Sequence, residues 1–277
     1  MKIVKFDPIL LRDAERVLEH APYPVREDIF SLLDVFSKNA YIAYSLGFPV
    51  GIACSDIFDG RKRAKFAVFV QPKYRRRGIG KELFLSVLEQ ANQAGMKSLV
   101  CDFPSDSDNV FFVSSLGFEK RYSSHFMTIP VTARRSVLGF EQYDDSMFLS
   151  FVNAEAKAFY PIRSRLGIDP VVIEPNENIR TFLSKAADKY FVYRENGEVL
   201  AGGGVYNAEI TDIFVAPKLR GQGVGRKIVE RCLFEAYKLG YKTVSLWVIA
   251  ENIPAVSLYS SIGFTVERTH DFFVKQI

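Results

Sequence analysis

The sequence is poor in the residues that build metal and redox centres. Its 277 residues include only three cysteines, three histidines and one tryptophan. Cys54, Cys101 and Cys232 stand far apart and form no Cys-x-x-Cys pair, which speaks against a disulfide framework or a dithiol redox motif. His20, His125 and His270 are equally scattered, and no His-Glu-x-x-His motif occurs, so no metal is expected. Long apolar runs are missing as well. Nothing approaches the roughly 18–20 consecutive apolar residues that a helix needs to span a bilayer. The opening MKIVKFDPILLRDAERVLEHA reads as a short strand and an amphipathic helix rather than a cleaved signal. Neither sign of charge dominates: 36 Lys and Arg against 32 Asp and Glu give +4, with no basic tail. Neither nucleic acid nor a membrane is expected as a partner, and the expected location is the cytoplasm.

What is present is a repeat. PKYRRRGIGKELFLSVLEQANQAGMKSL starts at Pro72 and PKLRGQGVGRKIVERCLFEAYKLGYKTV at Pro217, an offset of 217 − 72 = 145. A second anchor follows, SSLGF at 114–118 and SSIGF at 260–264, an offset of 260 − 114 = 146. A period this long is duplication of a whole domain rather than a solenoid. The pattern breaks at IPVTARRS, which places two domains at 1–130 and 136–277.

Each half predicts the same order of elements. A hairpin, with turns at Leu46–Pro49 and Glu195–Gly197, leads into an apolar strand, Phe66–Val70 or Ile210–Val215. A helix follows the glycines, with Leu83, Phe84, Val87 and Ala91, or Ile228, Val229, Cys232, Leu233 and Ala236, on one face. Next come a strand (Ser98–Phe103, Thr243–Val248), a short helix ending at Gly-Phe, and a last strand (Phe126–Ile129, Phe272–Lys275). The fold class is α/β, with a mixed central β-sheet flanked by helices in each domain.

Between strand and helix stands Arg-x-x-Gly-x-Gly, at Arg75–Gly80 and Arg220–Gly225. Such a turn aims several backbone N–H groups and the positive end of the helix dipole at one point, which suits a phosphate or pyrophosphate. A GxxxxGK[ST] loop is weakened because Glu82 follows Lys81 and no glycine stands five residues before Gly80. The dinucleotide fingerprint GxGxxG is weakened because Leu83 and Ile228 replace its third glycine.

Turn, strand and then Asn-x-x-Ala-x-x-Leu-Tyr-x-x-x-Gly-Phe together resemble the GNAT superfamily of N-acetyltransferases. The second half matches at Arg220, Gly223, Gly225, Asn252, Ala255, Leu258, Tyr259, Gly263 and Phe264. The resemblance implies two tandem acyl-CoA N-acyltransferase domains, acetyl-CoA as cosubstrate, no metal, and a small-molecule or peptide amine as acceptor. It implies coenzyme A binding by Phe214, Val215, Arg220, Gly221, Gln222, Gly223, Val224, Gly225, Arg226 and Asn252, with Gly78 and Gly80 as the first-half counterparts. A backbone N–H near Phe214–Val215 would hold the oxyanion. Tyr259 would protonate the departing thiolate, whereas the first half has Val113 there (259 − 146 = 113). Glu209, eleven residues before Arg220, would act as general base; its first-half counterpart is Ala64. Asp212 lies on the same strand, and regular alternation would send the two carboxylates to opposite faces unless a bulge intervenes. The expectation is a monomer with an internal pseudo-dimer, catalytic in its second domain. The alternative is a non-catalytic acyl-CoA sensor or interaction module.

Overall fold

The structure is a computed structural model and describes residues 1–57 and 62–277. The first repeat runs β1 (Lys2–Lys5), α1 (Leu11–Leu18), α2 (Tyr23–Phe36), β2 (Ala40–Ser45), β3 (Phe48–Ser55), β4 (Arg63–Val70), α3 (Ile79–Gln93), β5 (Ser98–Pro104), α4 (Asn109–Ser115) and β6 (Glu119–Pro130). The second runs β7 (Glu141–Gln142), α5 (Phe148–Leu166), α6 (Glu177–Lys185), β8 (Tyr190–Glu195), β9 (Glu198–Tyr206), β10 (Glu209–Val215), α7 (Val224–Lys238), β11 (Thr243–Ile249), α8 (Ile253–Ile262) and β12 (Thr265–Gln276). Both hairpin turns form as read. Leu46 and Gly47, and Asn196 and Gly197, all have positive φ, as a two-residue turn between twisted strands requires.

The chain folds into two compact units. One is Met1–Lys120 with Phe272–Ile277, the other Arg121–Asp271. A single boundary near 130–136 therefore does not describe the division. The last strands expected to close their own repeats lie in the other repeat's unit. In the second unit β6 pairs antiparallel with β11, from Thr243↔Pro130 to Ile249↔Ser124, and buries Met127 and Ile129 among Leu246, Val248 and Phe264. In the first unit the chain's last residues follow β5, with Phe273 stacked on Phe103 at 4.9 Å and the Ile277 N–H donating to the Lys97 carbonyl. The two segments share length and apolar alternation, so local pattern does not determine which sheet each joins.

In the first unit the order β1-β2-β3-β4-β5 is antiparallel except for the parallel pair β4–β5. Side chains alternate across the sheet. Val50, Ala53 and Phe66 face Leu83, Phe84 and Val87 of α3; Ile42, Ile52 and Phe69 face Val17, Leu18 and Ile29 of α1 and α2. In the second unit the order from β6 is β6-β11-β10-β9-β8-β7, with β10–β11 parallel. Val229, Cys232, Leu233 and Ala236 of α7 cover one face, and Phe148, Phe151 and Val152 of α5 cover the other. No helix among the described residues is long and apolar enough to cross a membrane.

Candidate active site

The second-unit turn is built as its sequence demands. After β10 the chain makes one short turn, Pro217–Leu219, and passes Gly221 (φ 75°) and Gly223 (φ 76°) into α7. These angles favour glycine, and a Cβ at either would meet nothing within 4 Å, so their backbone is open to a ligand. The first N–H groups of α7, at Val224, Gly225 and Arg226, precede any intrahelical partner. Gly225 is small for a different reason: a Cβ there would lie 3.2 Å from Leu258 of α8.

Arg220 serves the turn itself. Its Nε donates to the Val215 carbonyl (3.2 Å) and its guanidinium to the Ala158 carbonyl of α5 (3.1 Å). Gln222 folds back to the Lys218 carbonyl, and Arg226 is held by the Ser261 hydroxyl (2.7 Å). The charge expected of this turn is present, but the backbone supplies the open donors. Asn252 occupies the N-cap position of α8 without its side chain capping the helix.

The first unit keeps the cradle. Arg75 Nε donates to the Val70 carbonyl (2.9 Å), Gly78 opens α3 at φ 81°, and a Cβ on Gly80 would lie 3.1 Å from Phe112. Arg76, in the place of Gly221, holds φ 60° despite its side chain. Left-handed backbone costs such a residue about 1 kcal/mol.

The units differ upstream of the turn. β4 pairs with β3 in unbroken register from Gly51↔Val70 to Ser55↔Phe66. β10 is bulged. Thr211 pairs with Gly204 and Phe214 with Gly202, so Asp212 and Ile213 together oppose Gly203, and Asp212 takes φ 55°. Three consecutive glycines make room for this. A Cβ at Gly202 would lie 2.6 Å from the Phe214 ring, at Gly203 2.3 Å from Ile213, and at Gly204 2.9 Å from the Tyr190 ring. Beyond Glu209↔Ser245 the parallel strands β10 and β11 have no further paired residues, leaving a gap in the hydrogen-bonded ladder there, as β4 and β5 do beyond Lys65↔Val100. Ala216 N–H donates to Leu200 and Phe214 pairs with Gly202, so alternation turns the Val215 N–H away from β9, toward that gap.

The bulge also puts both strand carboxylates on one face. Glu209, Thr211 and Asp212 line a cleft of about 330 Å³ with Phe182, Tyr190, Tyr206 and Asn207. The Tyr190 hydroxyl donates to Asp212 Oδ2 at 2.6 Å. Burial, with the Asp212 charge second, raises the Glu209 pKa above the usual carboxylate range. A hollow of about 380 Å³ beside Asp145 and Arg180 is larger, but those two groups are satisfied by each other.

Tyr259 is buried on α8 at the centre of the second core, its ring edge-on to Phe264. Burial raises its pKa, so the phenol stays protonated at neutral pH. Val113, at the corresponding place in the first unit, is an ordinary core residue. The three thiols are free and buried, and burial raises each pKa: Cys101 and Cys232 to about 12, Cys54 further still. Among the described residues no three His, Cys, Asp or Glu side chains are placed to hold a metal.

Glu155 on α5, Tyr190 and the bulge itself were not legible as site features. Burial pushes Glu155 up to about 7, the Asp212 charge adds to this and Arg163 opposes it. The usable signal was Gly202–Gly204, a triplet opposite the strand that carries Glu209 and Asp212.

The pattern of the Acetyltransferase (GNAT) family matches residues 4–118 and again 151–264. The uncharacterized N-acetyltransferase MJ1207 of Methanocaldococcus jannaschii is 42% identical over 57 residues, 21% of this chain and a quarter (25%) of that protein. The [ribosomal protein bS18]-alanine N-acetyltransferase of Escherichia coli K12 is 33% identical over 100 residues, 33% of this chain and 68% of that protein. Mycothiol acetyltransferase of Corynebacterium glutamicum strain R is 25% identical over 253 residues, covering 82% of this chain and 78% of that one. A solved tandem GNAT protein from the clavulanic acid biosynthesis pathway shares the fold at TM-score 0.64 and 14% identity, covering 99% of this chain and 98% of that chain. With both repeats matched separately and most of its length included, the chain belongs to the acetyltransferase (GNAT) family and carries that family's fold twice.

Proposed function

We propose that the protein is an acetyl-CoA-dependent N-acetyltransferase that transfers the acetyl group directly to an amine, and that its second unit does the chemistry. The observation that carries this is the conjunction, in that unit alone, of a glycine cradle, a bulged and splayed strand pair, and a buried protonated phenol on α8. The turn from Arg220 to Arg226 fits a pyrophosphate because its open donors are backbone N–H groups at the positive end of a fifteen-residue helix. The same fit supports Phe214, Val215 and Asn252 as further contacts to coenzyme A, which supplies the activated thioester.

Glu209 takes the proton of the acceptor ammonium, through a water. The amine attacks the thioester carbonyl, and the backbone N–H of Val215 stabilises the oxyanion. Tyr259 protonates sulfur as the C–S bond breaks. No residue needs to carry the acetyl group, in keeping with three buried, protonated thiols; free thiols also suit a reducing cytoplasm. The acidic cleft favours an acceptor that arrives as a cation. Two relatives are named for an alanine of a ribosomal protein and for mycothiol, which keeps peptide and small-molecule acceptors both within the class.

In the first unit the cradle of Gly78 and Gly80 persists without bulge, phenol or strand glutamate, which supports a binding role there and no transfer. Tyr259→Phe tests the assignment. We expect kcat to fall about tenfold or more with coenzyme A affinity unchanged by calorimetry. An unaltered kcat, measured where chemistry limits the rate, excludes Tyr259 as the acid.

A further inference from the structure

Transfer from a thioester to an alkylammonium removes two protons from nitrogen, one before attack and one from the adduct. The mechanism above supplies one acceptor, Glu209, and one donor, Tyr259. The second nitrogen proton has no assigned destination. We propose that Glu155 on α5 is that second acceptor and takes the proton nitrogen sheds as the C–S bond breaks. This rests on the transferase reading of the same site.

Glu155 lies one helical turn beyond Phe151, on the same face of α5. The Phe151 ring packs edge-on against Phe214, the residue that follows the bulge, at 5.1 Å and 87°. Three residues past Glu155, the Ala158 carbonyl accepts from Arg220 of the phosphate turn. Glu155 therefore sits on a stretch of α5 tied at one end to the bulged strand and at the other to the cradle. Its neighbour from β10 is Asp212; Tyr190 of β8 and Arg163 of α5 also act on it or are acted on by it, and Glu209 feels the same Asp212 charge.

These neighbours divide the roles. Asp212 already accepts the Tyr190 proton in a 2.6 Å hydrogen bond, which commits it as an acceptor. Among the described residues no group donates such a bond to Glu155, which is the carboxylate left to exchange a proton. Its pKa, pushed up to about 7 by burial and by Asp212, is near the value at which a base both gains and releases a proton readily at neutral pH.

The balance closes. The ammonium gives one proton to Glu209, and the neutral amine forms the C–N bond. Tyr259 gives its proton to the thiolate as the C–S bond breaks. The protonated amide nitrogen gives its second proton to Glu155. Two carboxylic acids and one phenolate result; one proton returns to Tyr259 and one leaves to solvent, matching the single proton released when an ammonium becomes an amide.

The experiment uses the full chain with acetyl-CoA and a set of primary amines: spermidine, tyramine, lysine ethyl ester and an alanyl peptide. For the best acceptor, Glu155→Gln should lower kcat about tenfold or more and remove the acidic limb of the kcat profile near pH 7. Coenzyme A affinity and amine KM should stay within about twofold. Glu155→Asp should recover part of kcat with the limb restored at lower pH. An E155Q profile that follows the wild type overturns the proposal, and so does loss of coenzyme A binding in both variants, which would mark Glu155 as structural. A wild type that binds acetyl-CoA yet acetylates none of these amines instead sinks the transferase reading, and this proposal with it.

Discussion

The Tyr190 hydroxyl reaches across β9 to Asp212 and donates to it over 2.6 Å. The two residues lie on strands that do not pair with each other, and the bond exists because the strand between them is Gly202–Gly204 at that level. A Cβ on Gly204 would lie 2.9 Å from the Tyr190 ring, so a side chain there would push the tyrosine off its path. The bond fixes the one non-glycine residue of β10 with positive φ, and with it the bulge that brings Asp212 to the face of Glu209.

Tyr190→Phe removes that donor and little volume. Asp212 then loses its hydrogen-bond donor in a partly buried place, a loss of about 1–3 kcal/mol of stability. Urea unfolding should show a lower midpoint at unchanged slope, and kcat should fall because the bulge is no longer pinned. An unfolding free energy within about 0.3 kcal/mol of the wild type would mean that the glycines alone shape the strand.

Much of this is legible in the amino-acid sequence. The repeat, both glycine turns, both hairpins and the strand–helix order follow from periodicity and from residues with restricted φ, which act locally. The contrast between Tyr259 and Val113 was also plain, since it needs only the repeat offset. The facing of Glu209 and Asp212 was not, because strict alternation assigns them opposite sides and one inserted residue reverses that. Glu155 was invisible for a related reason: on an amphipathic helix it reads as a solvated charge, and only packing of α5 on β10 brings it near Asp212. The exchange of last strands was hidden because Phe126–Ile129 and Phe272–Lys275 carry equivalent patterns. Pairing partners at long sequence separation decide between them.

That exchange makes the first unit depend on the end of the chain. Phe273 is 2% exposed within its core and stacks on Phe103 at an interplanar angle of 16°. Phe273→Ala should cost about 3–5 kcal/mol, the usual loss for a buried phenylalanine, and removal of Phe272–Ile277 at least as much. Hydrogen exchange is the suitable readout. Amides of β4 and β5 should lose protection while those of α7 and β9 keep theirs. Equal loss in both sets would mean that the units unfold as one.

Glu155 carries a stability signature separate from its chemistry. Its carboxyl, ordinarily near 4.5, is pushed up to about 7 by burial and by Asp212. Between those values the folded chain binds more protons than the unfolded one, so stability falls as pH rises. The contribution is fully present below about 4.5 and gone once pH passes about 7, a change on the order of 3 kcal/mol. Glu155→Gln cannot ionise and lacks this dependence, while every other titrating group remains and largely cancels in the comparison. Relative to the wild type, the variant should therefore be more stable at pH 8 than at pH 5, with the difference in Tm growing by several degrees across that interval. The sign is diagnostic. A carboxylate held by a salt bridge gives the opposite slope, with the wild type gaining on the variant as pH rises. If the difference is flat from pH 5 to pH 8, Glu155 titrates in the ordinary range, and any acidic limb near pH 7 in the rate of acetyl transfer belongs to another group.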